Sequence, residues 1–188
     1  MAFPEPAIAR RRLHTRRIEA EGFLRDDGLF DLDATLVDLK DADYEILSGV
    51  RPAGTPVHEM RVRLTIDRHF NIVDALADTA WAPYSGYCET IAPAYRRLIG
   101  LNLFQGFRKA MMERFAEVKG CTHVTELLLT LPTVALQTFA TLVREDDSGD
   151  RKPYQLDRCH ALDSSGAAVR KYYPRWYRPR TVADSENT

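Results

Sequence analysis

Two stretches of this chain place an apolar side chain at every second position, and this period restricts the folds that the chain can adopt. The first stretch is RRIEAEGFLRDDGLFDLDATLVDLK, in which Asp27-Gly28 separates two alternating runs. Asp-Gly between such runs is a strong short-range signal for a β-hairpin turn. Residues 10–40 are therefore predicted to form an N-terminal β-hairpin.

The second stretch, PVHEMRVRLTID, separates into an apolar face that includes His58 and a polar face that includes Glu59. This separation predicts a strand with one buried face. The turn sequence DRHFN and the run IVDALADT follow it, and they predict a second strand that pairs with the first as a meander. Clean alternation of this kind is typical of antiparallel sheets with one solvated face.

Helical spacing of apolar residues begins only after these strands. It predicts one helix over residues 86–99, a second over residues 104–118, and a long third helix over residues 122–143 with a kink at Pro132. The chain is accordingly predicted to be an α+β protein, with an antiparallel sheet and helices packed on one face.

The remaining segments complete a single predicted domain over residues 1–188, whose core spans residues 57–143. Residues 41–55 contain prolines and glycines and are predicted to be a connection. Residues 153–173 are predicted to form a C-terminal β-hairpin, and residues 174–188 a tail without a folding pattern of its own.

Composition narrows the classes of function. Hydrophobic residues make up 45% and charged residues 28% of the chain, and the formal net charge is -1, which gives no overall attraction to nucleic acid or acidic lipid. The N-terminal sequence MAFPEPAIARRRLH lacks the apolar run of a secretory signal, so a cytoplasmic location is expected. Residues 124–143 are apolar but include Glu126 and Pro132, which favours a buried helix over a membrane span.

Four residues from three separate segments are candidate metal ligands: His58, Cys88, Cys121 and His123. Two thiolates and two imidazoles suit a tetrahedral zinc or iron ion. An imidazole on an otherwise apolar strand face also needs a polar partner or a metal to offset its burial. The alternative is that the cysteines are ordinary buried residues, because free cysteine often fills apolar space.

A site without metal is also consistent with these residues. Cys121 directly precedes a predicted helix, whose unpaired backbone N–H groups favour a thiolate, so Cys121 is a candidate nucleophile with His58 or His123 as its base. Glu59 is a candidate general base only if a local bulge turns it toward His58. Either Cys159 or His160 could add to an inward site, since neighbouring strand residues face opposite sides.

Residues 57–140 resemble the U-type iron-sulfur cluster scaffold (NifU N-terminal-like) fold. The resemblance rests on a strand, turn and strand ending in IVDA, a helix opening with CETIAPA, and a cysteine before a long last helix. It implies that Cys88 and Cys121 take the second and third cysteine positions of that family's metal site, with His58 near the first. HEM replaces the family's first cysteine motif, which favours a single ion over a cluster.

The whole chain is also similar to a bacterial family known only as domain of unknown function 2889. The similarity is carried by RRIEAEGFLRDDGLFDL, GTPVHEMRVRLTID, GCTHVTELL and LDRCHAL. It implies a shared fold and supplies no reaction.

Three functions are consistent with the sequence: a metal-dependent enzyme acting on a small molecule, a carrier of metal or iron-sulfur clusters, and a metal-free cysteine enzyme. The first is ranked highest because the scaffold family's partner-docking segment has no counterpart here. No nucleic acid or membrane partner is expected.

Overall fold

The computed structural model describes residues 3, 5–47, 49–140, 142 and 152–179. The contacts divide the chain into two compact units, Met1–Phe139 and Ala140–Thr188. The expectation of one domain over residues 1–188 stays a prediction.

The first unit is built on a four-stranded antiparallel sheet with strand order β1-β2-β5-β6. These strands are β1 (His14–Leu24), β2 (Phe30–Lys40), β5 (Pro56–Ile66) and β6 (Ile72–Trp81). Between β2 and β5, the short strands β3 (Tyr44–Ile46) and β4 (Gly49–Arg51) pair as a separate two-stranded sheet. The predicted N-terminal hairpin and the β5–β6 meander are both confirmed.

The turns of the main sheet follow from their sequences. Gly28 adopts a φ of 81°, which a residue without Cβ tolerates, and Arg25 N–H donates to the carbonyl oxygen of Leu29 at 2.9 Å. Between β5 and β6, the Asp67 carboxylate accepts from the backbone N–H groups of His69 and Asn71. Such local bonds fix the register of both hairpins.

The helical part follows the predicted order with different boundaries. A 3-10 helix spans Cys88–Leu98, α1 spans Phe107–Phe115, and a further 3-10 turn spans Glu117–Lys119. The predicted single long helix is wrong, because two helices, α2 (Thr122–Leu128) and α3 (Leu131–Phe139), replace it. Pro132 lies in the first turn of α3, where its missing N–H costs no helical hydrogen bond. Residues 141 and 143, near the predicted helix end, lie outside the described residues.

Helices α2 and α3 pack on one face of the sheet, which is called the covered face below. The ring centroids of Phe30 in β2 and Phe139 in α3 are 4.2 Å apart, and a Cβ on Gly22 of β1 would lie 1.8 Å from Thr138 Oγ1. The fully buried side chains of this interface include Leu32, Leu36, Met60, Leu64, Leu127, Leu128 and Leu131. The predicted α+β class, with an antiparallel sheet and helices on one face, is confirmed.

In the second unit, the structure describes Ala140, Leu142 and residues 152–179. The predicted C-terminal hairpin over residues 153–173 is wrong: this segment contains a 3-10 turn, His160–Leu162, and helix α4 (Ala167–Tyr172). Asp157 accepts hydrogen bonds from both the backbone N–H and the hydroxyl of Ser164, so local side-chain bonds replace strand pairing. Pro174–Trp176 of the predicted tail forms a 3-10 turn, and residues 180–188 lie outside the described part.

Among the described residues, no helix combines the length and the apolar character that crossing a membrane requires.

Candidate functional site

A row of three side chains crosses the covered face at one end of the sheet. Arg16 of β1 pairs with Asp38 of β2, and Asp38 pairs with His58 of β5. The β2–β5 register shifts directly after Asp38, between Asp38 and Leu39. Such irregularities often redirect side chains beside functional sites. The row places a carboxylate between a guanidinium and an imidazole.

Asp38 is held by hydrogen bonds to both of its carboxylate oxygens. Oδ1 accepts from His14 Nε2 and from Arg16 Nε, each at 2.8 Å, and Oδ2 accepts from Arg16 Nη2 at 2.8 Å. His58 Nδ1 lies 3.2 Å from Oδ2. The Asp38 side chain is 4% exposed, so its charge is compensated almost entirely by protein groups.

Helix α2 closes the site from above the sheet. The His123 ring stacks on the His58 ring, with centroids 3.8 Å apart and planes inclined by 28°. His123 Nε2 lies 3.6 Å from Asp38 Oδ2. One helical turn later, Glu126 forms an ion pair with Arg16. Residues three apart share one helix face, so both side chains point toward the row.

Cys121 precedes α2 and lies beside His123. Its Sγ is 3.9 Å from His123 Nδ1, and its backbone N–H donates to the Tyr95 hydroxyl at 2.8 Å. That hydroxyl in turn donates to the Cys121 carbonyl oxygen at 3.1 Å. Tyr95 is buried and thereby anchors the start of α2, which fixes where His123 points.

The electrostatic environment favours an ionised aspartate and neutral imidazoles. Burial by itself raises the pKa of Asp38, but hydrogen bonds from Arg16 and His14 outweigh it and hold that pKa well below its ordinary value. Burial lowers the pKa of His58, and the neighbouring His123 lowers it further, against the opposing effect of Asp38. Burial also lowers the pKa of His123. Neutral imidazoles retain a lone pair for a metal or a proton.

Asp38, His58 and His123 each offer one ligand atom, and these three atoms all lie within 4.8 Å of one another. Two histidines and one carboxylate form a donor set that suits first-row transition metals. On Oδ2, Arg16 occupies one of the two lone-pair directions. The other lone pair can either accept a hydrogen bond from His58 Nδ1–H or bind a metal ion.

The four predicted metal ligands fall into three positions. His58 and His123 belong to the converging group, while Cys121 touches His123 without joining that group. Cys88 is the first residue of the 3-10 helix, is partly buried, and is not in the group. The assignment of all four as one ligand set stays a prediction.

The predicted catalytic residues Cys121 and His123 lie together. Glu59 lies elsewhere: it forms an ion pair with Arg61, two residues along the same strand, on the face opposite His58. A register shift does occur between Glu59 and Met60, but the ion pair keeps Glu59 beside Arg61. Cys159 and His160 are both exposed in the second unit.

Three members of the site, His14, Arg16 and Asp38, were not singled out from the sequence. A signal was present for Asp38, because FDLDATLVDLK continues the apolar positions 30, 32, 34 and 36 to a carboxylate at position 38. A carboxylate on a buried face requires partners. The same alternation places Arg16 and His14 on the covered face of β1.

The fold and site define an α+β protein with a histidine–carboxylate cluster between a sheet and a helix. The family model for a protein of unknown function, DUF2889, matches residues 14–137, and the chain belongs to this family. The matched region begins at His14 and includes every residue of the cluster. Comparison with curated proteins and with solved structures gave no match, so the resemblance to the iron-sulfur scaffold fold stays an expectation.

Proposed function

We propose that this protein binds a single zinc or iron ion through Asp38, His58 and His123 and is a metal-dependent enzyme acting on a small molecule. The observation that carries the proposal is the convergence of three ligand atoms within 4.8 Å around a carboxylate whose ionisation is secured by Arg16.

The two ligand-atom distances to Asp38 are close to those found around a metal ion. Metal–ligand bonds of about 2.1 Å separate neighbouring ligand atoms by about 3.0 Å in an octahedral site and about 3.4 Å in a tetrahedral one. Asp38 Oδ2 lies 3.2 Å from His58 Nδ1 and 3.6 Å from His123 Nε2. An imidazole lone pair lies in its ring plane, so at least one of the stacked His58 and His123 rings must turn to place all three ligand atoms on one ion.

The surrounding residues supply the supports that metal ligands ordinarily have. Arg16 and His14 hold the Asp38 carboxylate in one orientation. Cys121 Sγ lies where it can accept a hydrogen bond from His123 Nδ1–H, which leaves Nε2 free for the ion. Outer partners of this kind contribute roughly 10- to 100-fold to metal affinity.

Three protein ligands leave coordination positions for water or substrate. A bound ion would activate a water molecule or polarise a carbonyl there. The His58 and His123 side chains are 18% and 25% exposed, so a small molecule can reach them. This accessibility also fits a metal carrier. A cytoplasmic location and the absence of nucleic acid and membrane partners are proposed from the sequence.

Metal analysis of tag-free protein tests the proposal. We expect about one zinc or iron ion per chain, and a loss of affinity of about 100-fold in His58→Ala, His123→Ala and Asp38→Asn. Cys88→Ser and Glu59→Gln are matched controls and should retain the ion. A parent protein that takes up neither zinc nor iron, or ligand variants that bind as the parent does, would contradict the proposal.

The rate of ion release separates the enzyme from the carrier. A chromophoric chelator should remove the ion within seconds from a carrier and over hours from an enzyme with a resident ion. The release rate should be measured for zinc-loaded and for iron-loaded parent protein, and for the Cys121→Ser variant, in which His123 loses its outer partner.

The second candidate is the metal-free cysteine enzyme, favoured by the 3.9 Å separation between Cys121 Sγ and His123 Nδ1. If His123 activates Cys121, alkylation of Cys121 by iodoacetamide should slow about tenfold in His123→Ala. The exposed Cys159 is an internal reference. Equal alkylation of Cys121 in both proteins would exclude this candidate.

A further inference from the structure

A second feature of the same sheet end is a cavity of about 520 Å³ beside the metal-ligand group. It is lined by Arg11, Arg12, Leu13, Lys40, Asp41, Ala42, Asp43 and Tyr44. Sites for small molecules usually have volumes of about 300–1,000 Å³. The cavity is therefore large enough for an organic molecule.

The cavity adjoins the Asp38 site through His14 and β2. Lys40 is the second residue after Asp38 along β2, and its cross-strand partner in β1 is His14. His14 Nε2 in turn donates to Asp38 Oδ1. A ligand in the cavity would therefore lie next to a residue that contacts the proposed metal ligand Asp38.

The charges of the lining favour an anion. Three cations and two carboxylates line the cavity and give it a net charge of +1. Asp41 is neutralised by Arg12 at 2.6 Å, while Asp43 accepts the Ala53 N–H at 2.7 Å and keeps its charge. Within the described residues, Arg11 and Lys40 have no carboxylate partner. Two cations remain available to a ligand carboxylate or phosphate.

The apolar part of the lining comes from Tyr44 and Leu13. The Tyr44 hydroxyl has almost no exposed surface, so a ligand in the cavity would contact the Tyr44 ring and not its hydroxyl. The Tyr44 ring and Leu13 add apolar surface, which favours an organic anion over an inorganic one.

We propose that this cavity binds a small organic anion through Arg11 and Lys40, with the Tyr44 ring and Leu13 against the apolar part of the ligand. That this anion is also the substrate of the Asp38–His58–His123 site rests on the proposed function.

Binding measurements test the cavity directly. Benzoate and phenyl phosphate are the organic probes, with inorganic phosphate and neutral benzamide as comparisons, titrated by calorimetry. At least one organic anion should bind with a dissociation constant of about 1 mM or better, and more tightly than inorganic phosphate or benzamide. Which of the two binds identifies the anionic group.

The variant Arg11→Ala/Lys40→Ala should weaken that binding by about tenfold or more. Arg17→Ala, an exposed arginine of β1, is the matched control and should bind as the parent does. Tyr44→Phe keeps the aromatic ring and should bind as the parent does, whereas Leu13→Ser removes apolar surface and should bind more weakly. Absent binding of both organic anions, or equal losses in the Arg17 control, would overturn the proposal.

Metal content separates this proposal from the function proposed above. Arg11→Ala/Lys40→Ala should keep its ion while losing the anion, and His58→Ala should lose its ion while still binding the anion. If the parent binds the anion but no metal, the cavity is supported and the metal site is not. If it binds metal but neither organic anion, the cavity proposal fails alone.

Discussion

Strand β2 carries two carboxylates that each meet one arginine through both oxygens, and they lie on opposite faces of the sheet. Asp38 pairs with Arg16 on the covered face, where the two side chains are 4% and 29% exposed. Asp33 pairs with Arg63 on the open face, where the corresponding values are 29% and 51%. The two pairs therefore have the same chemistry in different surroundings.

The difference shows that burial, rather than pairing, makes one of these carboxylates a candidate site. Water can replace Arg63 as the partner of Asp33, whereas Asp38 depends on Arg16, His14 and His58 for its charge compensation. A desolvated, oriented carboxylate is a strong ligand or proton acceptor, and a solvated one has little effect on stability or reactivity.

The largest contrast is expected between Asp38→Asn and Asp33→Asn. In Asp38→Asn, Arg16 loses a charged partner in a buried setting, so the free energy of unfolding should fall by about 3 kcal/mol. In Asp33→Asn it should fall by less than about 1 kcal/mol. Urea unfolding at pH 7.5 with EDTA present measures both without a contribution from metal. Similar losses in the two variants would remove the distinction between the faces.

A smaller contrast tests how closely α3 packs on the covered face. Gly22→Ala would place a Cβ 1.8 Å from Thr138 Oγ1, and the required shift should cost about 2 kcal/mol. Glu21→Ala, one residue earlier and exposed on the open face, should change stability by less than about 0.5 kcal/mol. Unfolding of both variants in urea is the measurement. A neutral Gly22→Ala would mean that α3 packs less closely than described.

The dependence of stability on pH should come from the covered face. The pKa values of His58 and His123 lie below their ordinary value of 6.5 in the folded chain, chiefly through burial. Between those values and 6.5 the unfolded chain binds more protons, so stability is fully present above pH 6.5 and decreases as pH falls. Asp38 adds nothing to this interval, because its lowered pKa shifts its own loss of stability to stronger acid.

We therefore expect a lower urea midpoint at pH 5.5 than at pH 7.5 in metal-free protein. The difference should shrink in His58→Gln/His123→Gln. A midpoint that stays constant or rises on acidification would show that these imidazoles are not desolvated.

The smallest effect is expected from the ion pair at the edge of the site. The Glu126 side chain is 50% exposed, so Glu126→Gln should cost less than about 1 kcal/mol although it contacts Arg16. Glu19→Gln, an exposed carboxylate of β1 with the same change of charge, is the reference. The stabilities of the Glu126→Gln and Glu19→Gln variants should be compared by their urea unfolding midpoints at low and at high salt. A cost near that of Asp38→Asn would place Glu126 within the buried cluster.

The strands of the main sheet could be predicted from the sequence because the patterns that indicate a strand or a tight turn lie within a few neighbouring residues. Alternation placed β1, β2, β5 and β6, and Asp27-Gly28 placed the first turn. The C-terminal hairpin was predicted wrongly because local hydrogen bonds, such as that from the Ser164 N–H to Asp157, take the place of strand pairing there. The break between α2 and α3 depends on packing against the sheet, which periodicity along one segment does not contain.

The site was only partly predictable because it depends on which strands are neighbours. His58 and His123 were identified as polar residues on apolar faces, and the structure stacks their rings. Asp38 was overlooked because a single aspartate at a strand end resembles a surface residue until Arg16 is known to lie beside it. Cys88 was singled out as a thiol on the apolar face of a predicted helix and was further favoured by a family resemblance whose first cysteine this chain lacks.

The cluster draws on β1, β2, β5 and α2, so its members span residues 14 to 126 of the chain. Contacts between such distant positions form late, because each requires the closure of a long loop. No fragment that omits either the first strand or α2 contains the complete cluster. The complete cluster should therefore form in refolding experiments only once the entire sheet and α2 have assembled.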